Sequence, residues 1–142
     1  MNHFDTELEK SLKTDNIHYE RLPNKDEKRL INKIQRKITF AGSQIDWKTL
    51  QNATDLSHME KSLALTEISE KLNSLAVQRV IFLGDSAIEY AYSIAITDLR
   101  RALDIFAEFP QHTYIFPERL NWIACLAFEG YIDYADLSCD EA

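Results

Sequence analysis

The sequence predicts an α+β fold, with N-terminal helices followed by a mainly antiparallel sheet in the chain order β-β-α-β-β and a helix packed on it. Two observations predict this class. Apolar residues recur with a helical period through the first half, and from residue 77 the period changes to two, with frequent β-branched residues as in VQRVIFL. The 142 residues suffice for one ordinary core, so we expect a single domain. Its expected parts are a helical region 1–75, a sheet-plus-helix region 76–137 and an acidic tail 138–142.

Three helices are predicted in the first half, each with an apolar stripe at i, i+3 or i+4 spacing: residues 4–13, 24–38 and 57–75. Asn24 is the expected N-cap of the second helix. Ser57 and Glu60 are expected to form a capping box at the start of the third. Between these two helices, residues 39–56 show no sustained period, so we expect mostly loop with a turn of helix around Trp47.

The second half is predicted to form two hairpins on either side of one helix. Large side chains alternate in AIEYAYSIAI, which favours a strand there, and Gly84-Asp85-Ser86 is a turn sequence that would join it to the preceding strand. Pro110 ends the helix. The expected elements are strands 77–83 and 87–96, a helix from 98 that ends before 110, an extended segment 112–116, and strands 121–128 and 131–136.

The last hairpin contains two different strands. NWIACLAF, 121–128, is apolar on both faces, so we expect a central strand that is covered on both sides and has Trp122 and Phe128 in the core. The strand after it, 131–136, alternates tyrosines with aspartates. We expect an edge or half-exposed strand there, because charged side chains discourage pairing at a sheet edge.

The net negative charge of the chain comes entirely from its second half. Residues 1–71 hold 12 basic and 12 acidic side chains, whereas residues 72–142 hold 4 basic and 11 acidic ones, which explains the whole net charge of −7. This argues against nucleic acid or an anionic membrane as partner, because both require a basic patch, and it favours a basic protein. The alternative is that an acidic surface only keeps the protein soluble.

The sequence indicates a cytoplasmic protein without a signal peptide. The first residues, MNHFDTELEK, mix acids with bases, and no stretch approaches the roughly 20 apolar residues that span a bilayer. Cys125 lies in an apolar run and Cys139 lies among acids of the tail, so we expect neither a disulfide framework nor a reactive thiolate.

The strongest enzyme signal is VIFLGDSAIEY at 80–90, which resembles the Gly-Asp-Ser block of GDSL-type lipases and esterases. The resemblance implies a nucleophile at Ser86. Such enzymes also need an Asp-x-x-His dyad downstream of the serine, whereas the only such spacing, from Asp55 to His58, is upstream. A hairpin turn is therefore the favoured interpretation, and a small serine hydrolase that uses Ser86 is the alternative.

The sequence offers no further catalytic arrangement. The four histidines are far apart along the chain, and no Gly-rich phosphate loop is present. Asp104 and Glu108 could serve acid–base chemistry, but solvated charge is the usual reason for such a pair. We therefore expect a protein that is not an enzyme and that uses no metal and no cofactor.

A second resemblance covers about residues 78–136. A strand ending in FLGDS is followed by DLRRALDIFAEF, FPQHTYIFP and the hairpin NWIACLAFEGYIDYAD. This order is similar to that of small bacterial immunity proteins of polymorphic and contact-dependent growth inhibition toxin systems. The resemblance implies an antitoxin that binds the basic C-terminal domain of one cognate toxin, commonly a nuclease, with one-to-one stoichiometry and occludes its active or substrate-binding site.

An acidic protein suits such a partner, because it can mimic the phosphate backbone that a nuclease binds. The residues expected to contact the toxin are acids and one tyrosine of the second half: Asp85, Glu89, Glu118, Glu129, Asp133, Tyr134 and Asp136. The alternative for Glu129, Asp133, Tyr134 and Asp136 is edge protection by the acids and half-buried packing of the tyrosine. The resemblance does not extend to residues 1–75.

Overall fold

The computed structural model describes residues 1–42 and 44–138, which form four α-helices and a large sheet. The helices are α1 (His3–Thr14), α2 (Asn24–Lys37), α3 (Lys61–Asn73) and α4 (Leu99–Phe106), with 3-10 turns at Trp47–Thr49 and Ile96–Asp98. The strands are β1 (Tyr19–Arg21), β2 (Phe40–Ala41), β3 (Gln44–Ile45), β4 (Ala53–Asp55), β5 (Arg79–Gly84), β6 (Tyr92–Ala95), β7 (His112–Phe116), β8 (Trp122–Ala127) and β9 (Ile132–Asp136). Cys139 and the predicted acidic tail, apart from Ser138, lie outside the described residues. No helix in the described ranges is long and apolar enough to cross a membrane.

Seven strands form one sheet in the order β1-β6-β5-β7-β8-β9-β4, with antiparallel neighbours throughout. The predicted α+β class is confirmed. The first half of the chain, predicted to be helical, also supplies both edges of the sheet, since β1 pairs with β6 and β4 pairs with β9. These two strands have three mostly polar residues each, Tyr-Glu-Arg and Ala-Thr-Asp, which is too short for a periodic signal.

The sheet is covered on both faces. α1, α3 and α4 pack on one face, where their buried apolar side chains meet Phe82 and Trp122. α2 and the small β2–β3 hairpin pack on the other face, against Leu83 and Ile123. β8 sends alternate side chains into both cores, as its unbroken apolar run predicts.

Two predictions for the last hairpin are wrong. The sequence predicts an edge or half-exposed strand after the turn, but β4 pairs with the outer side of β9, and three of the five residues of β9 are buried. Phe128 is not in the core, since 58% of it is exposed. Its position follows from the turn, where Gly130 N–H donates to Ala127 O and Ala127 N–H donates to Tyr131 O. The regular strand therefore ends at Ala127, and Phe128 leaves the face that Trp122 shares.

The two predicted N-caps are also wrong. α2 has Pro23 as its N-cap, so Asn24 is already the first helical residue. α3 begins four residues after Ser57, at Lys61. The Ser57 hydroxyl oxygen instead accepts a hydrogen bond of 3.0 Å from Ile132 N–H at the start of β9. Ser57 therefore accepts a hydrogen bond from a residue distant in the chain and does not cap α3.

β6 is shorter than predicted, because residues 85–91 form a loop, the β5–β6 loop. Buried side chains from elsewhere accept hydrogen bonds from its amides. Asp5 of α1 accepts from Glu89 N–H at 2.8 Å, and Gln111 accepts from Ile88 N–H at 2.8 Å. These donors are satisfied outside the sheet, so the alternation of large side chains there does not produce a strand.

Candidate functional site

The candidate site lies at the end of the sheet where β5 and β8 finish and β7 and β9 begin. Three predicted contact residues lie at this end, Asp85 and Glu89 in the β5–β6 loop and Glu129 in the turn between β8 and β9. Glu89 and Glu129 are exposed, whereas the side chain of Asp85 is 27% exposed. The acidic end is defined here as these three acids with His112, Phe128 and Tyr131. The two loops are neighbours because β7 pairs with both β5 and β8.

His112, the first residue of β7, connects the two loops. Asp85 Oδ1 accepts from His112 N–H at 2.9 Å, and Asp85 Oδ2 lies 3.0 Å from His112 Nδ1. The other ring nitrogen, Nε2, lies 3.6 Å from Glu129 Oε1. His112 therefore fixes the Asp85 carboxylate by two contacts and places Glu129 on the other side of its ring. Sequence reasoning missed this role, since only the strand order makes 85, 112 and 129 neighbours.

Two exposed aromatic side chains flank Glu129. Phe128 is 58% exposed and Tyr131 is 65% exposed. Aromatic side chains are enriched in protein–protein interfaces relative to the rest of the protein surface. The sequence pattern misplaced Phe128 in the core, because strict alternation along β8 continues to that residue.

A cleft of about 780 Å³ opens beside Asp85, between α2 and the β5–β6 loop. We name it the α2 cleft. Apolar side chains line much of its wall: Ile31, Ile34, Ile38, Phe40, Leu83, Ile88 and Tyr114. Three acids (Glu27, Asp85 and Glu89), two bases (Arg36 and Lys37) and the polar residues Gln35, Thr39 and Ser86 also line the cleft. This volume lies within the range of protein sites that enclose a small ligand or a few side chains.

Asp133 lies just inside the acidic end. It is half-buried, opposite Asp55 in the β4–β9 pair and opposite Cys125 in the β8–β9 pair. Burial, together with the charge of Asp55, raises the pKa of Asp133 to about 6. Burial and the nearby Asp133 also raise the pKa of the Cys125 thiol far above its usual value, so this thiol is protonated and unreactive at neutral pH.

Asp133→Asn is expected to stabilise the protein at neutral pH. Because the pKa of Asp133 is raised in the fold from 3.8 to about 6, ionisation lowers the stability progressively between these two pH values, and the full cost is present above the upper one. We expect a gain of about 1 kcal/mol at pH 7.5, since partial exposure screens the penalty, and no gain below pH about 4. Urea denaturation of the wild type and of the variant, from below pH about 4 to pH about 7.5, measures this difference in the free energy of unfolding. The control, Asp136→Asn, should not stabilise at any pH, because hydrogen bonds from Ser138 lower the pKa of Asp136; a flat profile for Asp133→Asn would contradict the prediction.

Glu118 and Asp136 lie at the opposite end of the sheet, so the structure does not bring these two predicted contacts to the acidic end. Glu118 Oε1 accepts from Arg29 of α2 at 2.8 Å, and the Glu118 carbonyl accepts from Lys33. Asp136 Oδ1 accepts from Ser138 N–H at 2.9 Å. Both carboxylates have local structural partners, and Glu118 helps to hold α2 on the sheet.

Tyr134, the predicted aromatic contact, is a core residue. It is 9% exposed and stacks on Trp122 with ring centroids 5.3 Å apart. Its hydroxyl lies 3.5 Å from Glu67 Oε2 of α3. Tyr134 is therefore a packing residue, as the alternative interpretation has it. The exposed tyrosine of this hairpin is Tyr131, in the turn before β9.

Ser86 is an exposed loop residue whose hydroxyl donates to Asp85 Oδ1 at 3.2 Å. Both ring nitrogens of His112 face carboxylates, those of Asp85 and Glu129. His58 follows β4, which is four strand positions from β5. At the usual strand spacing these positions are roughly 19 Å apart. Neither histidine is therefore placed to take the proton of Ser86.

Ser86→Ala is expected to lower the free energy of unfolding by at most about 1 kcal/mol, since one exposed hydrogen bond is lost. We also expect a fluorophosphonate probe to leave the wild-type protein unlabelled under conditions that label an authentic serine hydrolase. Intact-mass spectrometry measures both proteins. Stoichiometric labelling of the wild type that disappears in Ser86→Ala would contradict this prediction and restore the hydrolase alternative.

Comparison of the chain with known protein families and with curated proteins finds no match. Within residues 1–42 and 44–138, no three or more His, Cys, Asp or Glu side chains are grouped so as to hold a metal ion. The arrangement at the acidic end and the α2 cleft is therefore the basis for a functional proposal.

Proposed function

We propose that this protein is an antitoxin that binds one cognate antibacterial toxin, with one-to-one stoichiometry, in the cytoplasm and blocks the toxin's active or substrate-binding surface. The observation that carries the proposal is the acidic end, where exposed Phe128 and Tyr131 flank an exposed acid, Glu129. The order of segments over residues 78–136, which is similar to that of bacterial immunity proteins, supports it.

The aromatic pair supplies the binding energy in this proposal. A buried aromatic side chain removes about 150–250 Å² from water, and such residues are frequent hot spots near the centre of an interface. Phe128 and Tyr131 are both more than half exposed. Insertion into pockets of a partner would therefore recover hydrophobic free energy that the free protein does not gain.

The acids determine which partner fits. Asp85, Glu89 and Glu129 favour a basic surface, and a nuclease is basic where it meets the phosphate backbone. The hydrogen bonds of His112 to Asp85 pre-position one carboxylate, which reduces the entropy lost on binding. An acidic surface that occupies such a site would exclude the nucleic acid substrate.

The test is expression of the protein encoded immediately upstream in a sensitive bacterium, with and without this protein. We expect toxicity from the upstream protein alone, full protection on co-expression, and a one-to-one complex by light scattering. Protection against unrelated toxins to the same degree, or no protection although this protein is folded, would rule out a cognate antitoxin. Increasing salt should slow association more than it accelerates dissociation, because charge steers the encounter.

A charge-reversal variant locates the surface. Asp85→Lys, Glu89→Lys and Glu129→Lys in one chain are expected to abolish protection and to lower the association rate by at least about tenfold at low salt. The matched control reverses three exposed acids elsewhere, Asp15, Glu20 and Glu70, with the same change in net charge. Equal losses in the two variants would mean that net charge matters and the acidic end does not.

A further inference from the structure

The α2 cleft contains a carboxylate that the fold does not use. Glu27 lies on the face of α2 that lines the cleft, and its Oε2 atom is buried without a hydrogen-bond partner among the described residues. Burial raises the pKa of Glu27, and the charges of Glu89 and Asp5 raise it further, whereas Lys28 offsets only part of this. A buried carboxylate oxygen without a partner costs stability, so Glu27 does not stabilise the unbound protein.

The neighbouring acids, Asp5 and Glu89, do not compensate the charge of the Glu27 carboxylate. Asp5 is fully buried, and its oxygens accept from Glu89 N–H, Tyr90 N–H and the Tyr92 hydroxyl. Glu89 is exposed and also lines the cleft. This part of the cleft therefore combines two acids, one of them desolvated, and favours a cation from outside.

Apolar surface continues from Glu27 along the cleft. Ile31 follows Glu27 by one helical turn, and both Ile31 and Phe40 are only partly buried. Buried Leu83 and Ile88 complete the wall on the sheet side. An apolar side chain that enters the cleft would contact this wall while a neighbouring cation reaches Glu27.

We propose that the α2 cleft receives a segment of the toxin that presents a bulky apolar side chain beside a lysine or arginine, whose cation pairs with Glu27 and Glu89. The inference rests on the proposed function and extends the interface from the acidic end, since Asp85 borders both surfaces. Charge complementarity identifies this occupant. Arg36 and Lys37 also line the cleft, but they lie in the last turn of α2, whereas Glu27 lies in its first turn. At the Glu27 end the acids would repel an anionic group, and a wholly apolar segment would leave the Glu27 carboxylate desolvated and unpaired.

The experiment measures affinity for a catalytically inactive form of the upstream toxin by calorimetry, together with the unfolding temperature of each free variant. We expect Glu27→Gln to weaken binding by about tenfold or more and Glu89→Gln to weaken it by a smaller factor. Ile31→Ala should also weaken binding, since it removes apolar contact surface. The control Glu20→Gln makes the same charge change at an exposed residue of β1 and should leave affinity within about twofold.

The unfolding temperature separates a binding role from a structural one. Glu27→Gln should melt at the wild-type temperature or above it, because it removes a desolvated charge. A lower unfolding temperature would assign Glu27 to the fold and overturn the inference. Unchanged affinity in both Glu27→Gln and Glu89→Gln, with wild-type binding intact, would overturn the inference alone. Absence of binding by the wild type would instead overturn the proposed function, and this inference with it.

Discussion

Truncation of Trp122 to alanine is expected to lower the free energy of unfolding by about 3–5 kcal/mol. Trp122 is 2% exposed on β8 and stacks on Tyr134, so the truncation opens a cavity between the central strands and the helices and removes an aromatic contact. A loss of this size is a large share of the stability of a small domain. Urea denaturation followed by circular dichroism measures it.

Phe128→Ala is the matched control for Trp122→Ala, since it truncates an aromatic residue just beyond the end of the same strand. Because Phe128 is 58% exposed, we expect a loss of no more than about 0.5 kcal/mol. Phe128→Ala should nevertheless impair binding in the proposed function. A larger loss of stability for Phe128→Ala than for Trp122→Ala would show that the faces of β8 are assigned wrongly.

Asp5→Ala is expected to destabilise the protein by about 3 kcal/mol, because the part-buried Glu89 and Tyr90 amides lose their acceptor together. Asp5 is fully buried and accepts from Glu89 N–H at 2.8 Å and from Tyr90 N–H at 3.3 Å. The Tyr92 hydroxyl lies 2.9 Å from Asp5 Oδ1 and also 2.9 Å from Glu9 Oε2, so it keeps an acceptor in the variant. Without it, the β5–β6 loop loses its attachment to α1. Hydrogen exchange of the Glu89 and Tyr90 amides, with urea denaturation, measures the effect.

Asp26→Ala is the control for Asp5→Ala, since both residues are acids in the first turn of a helix. Asp26 has an ion pair with Arg29 at 3.8 Å, so its loss should cost no more than about 1 kcal/mol. Equal effects would mean that the helix dipole explains Asp5 and that its tertiary hydrogen bonds contribute little. Slow exchange of the Glu89 amide in Asp5→Ala would contradict the assigned contact directly.

The helices and the central strands are predictable from the sequence because their apolar periods are long. α1, α2 and β8 agree with the sequence pattern to within a residue or two. Features that depend on partners distant in the chain are not predictable. β1 and β4 become strands only because β6 and β9 offer free edges, and the β5–β6 loop stays out of the sheet only because Asp5 and Gln111 hold its amides.

The candidate site was predictable only in part, for the same physical reason. The charge count identifies the second half as acidic, and Asp85, Glu89 and Glu129 do lie at one end of the sheet. Charge alone cannot say which acids are already paired, as Glu118 is with Arg29. It also cannot identify Glu27, whose helix is rich in both signs of charge and which lines a cleft together with residues of the β5–β6 loop.

The strands that close the two edges of the sheet have a consequence for aggregation and for synthesis of the chain. A fragment that begins after residue 75 would keep β5 to β9 but would expose the outer edges of β6 and β9. Unpaired backbone groups along such edges recruit strands of other molecules. During translation, β1 and β4 are made long before their partners, so β1 stays unpaired until β6 has emerged and β4 stays unpaired until β9 has emerged.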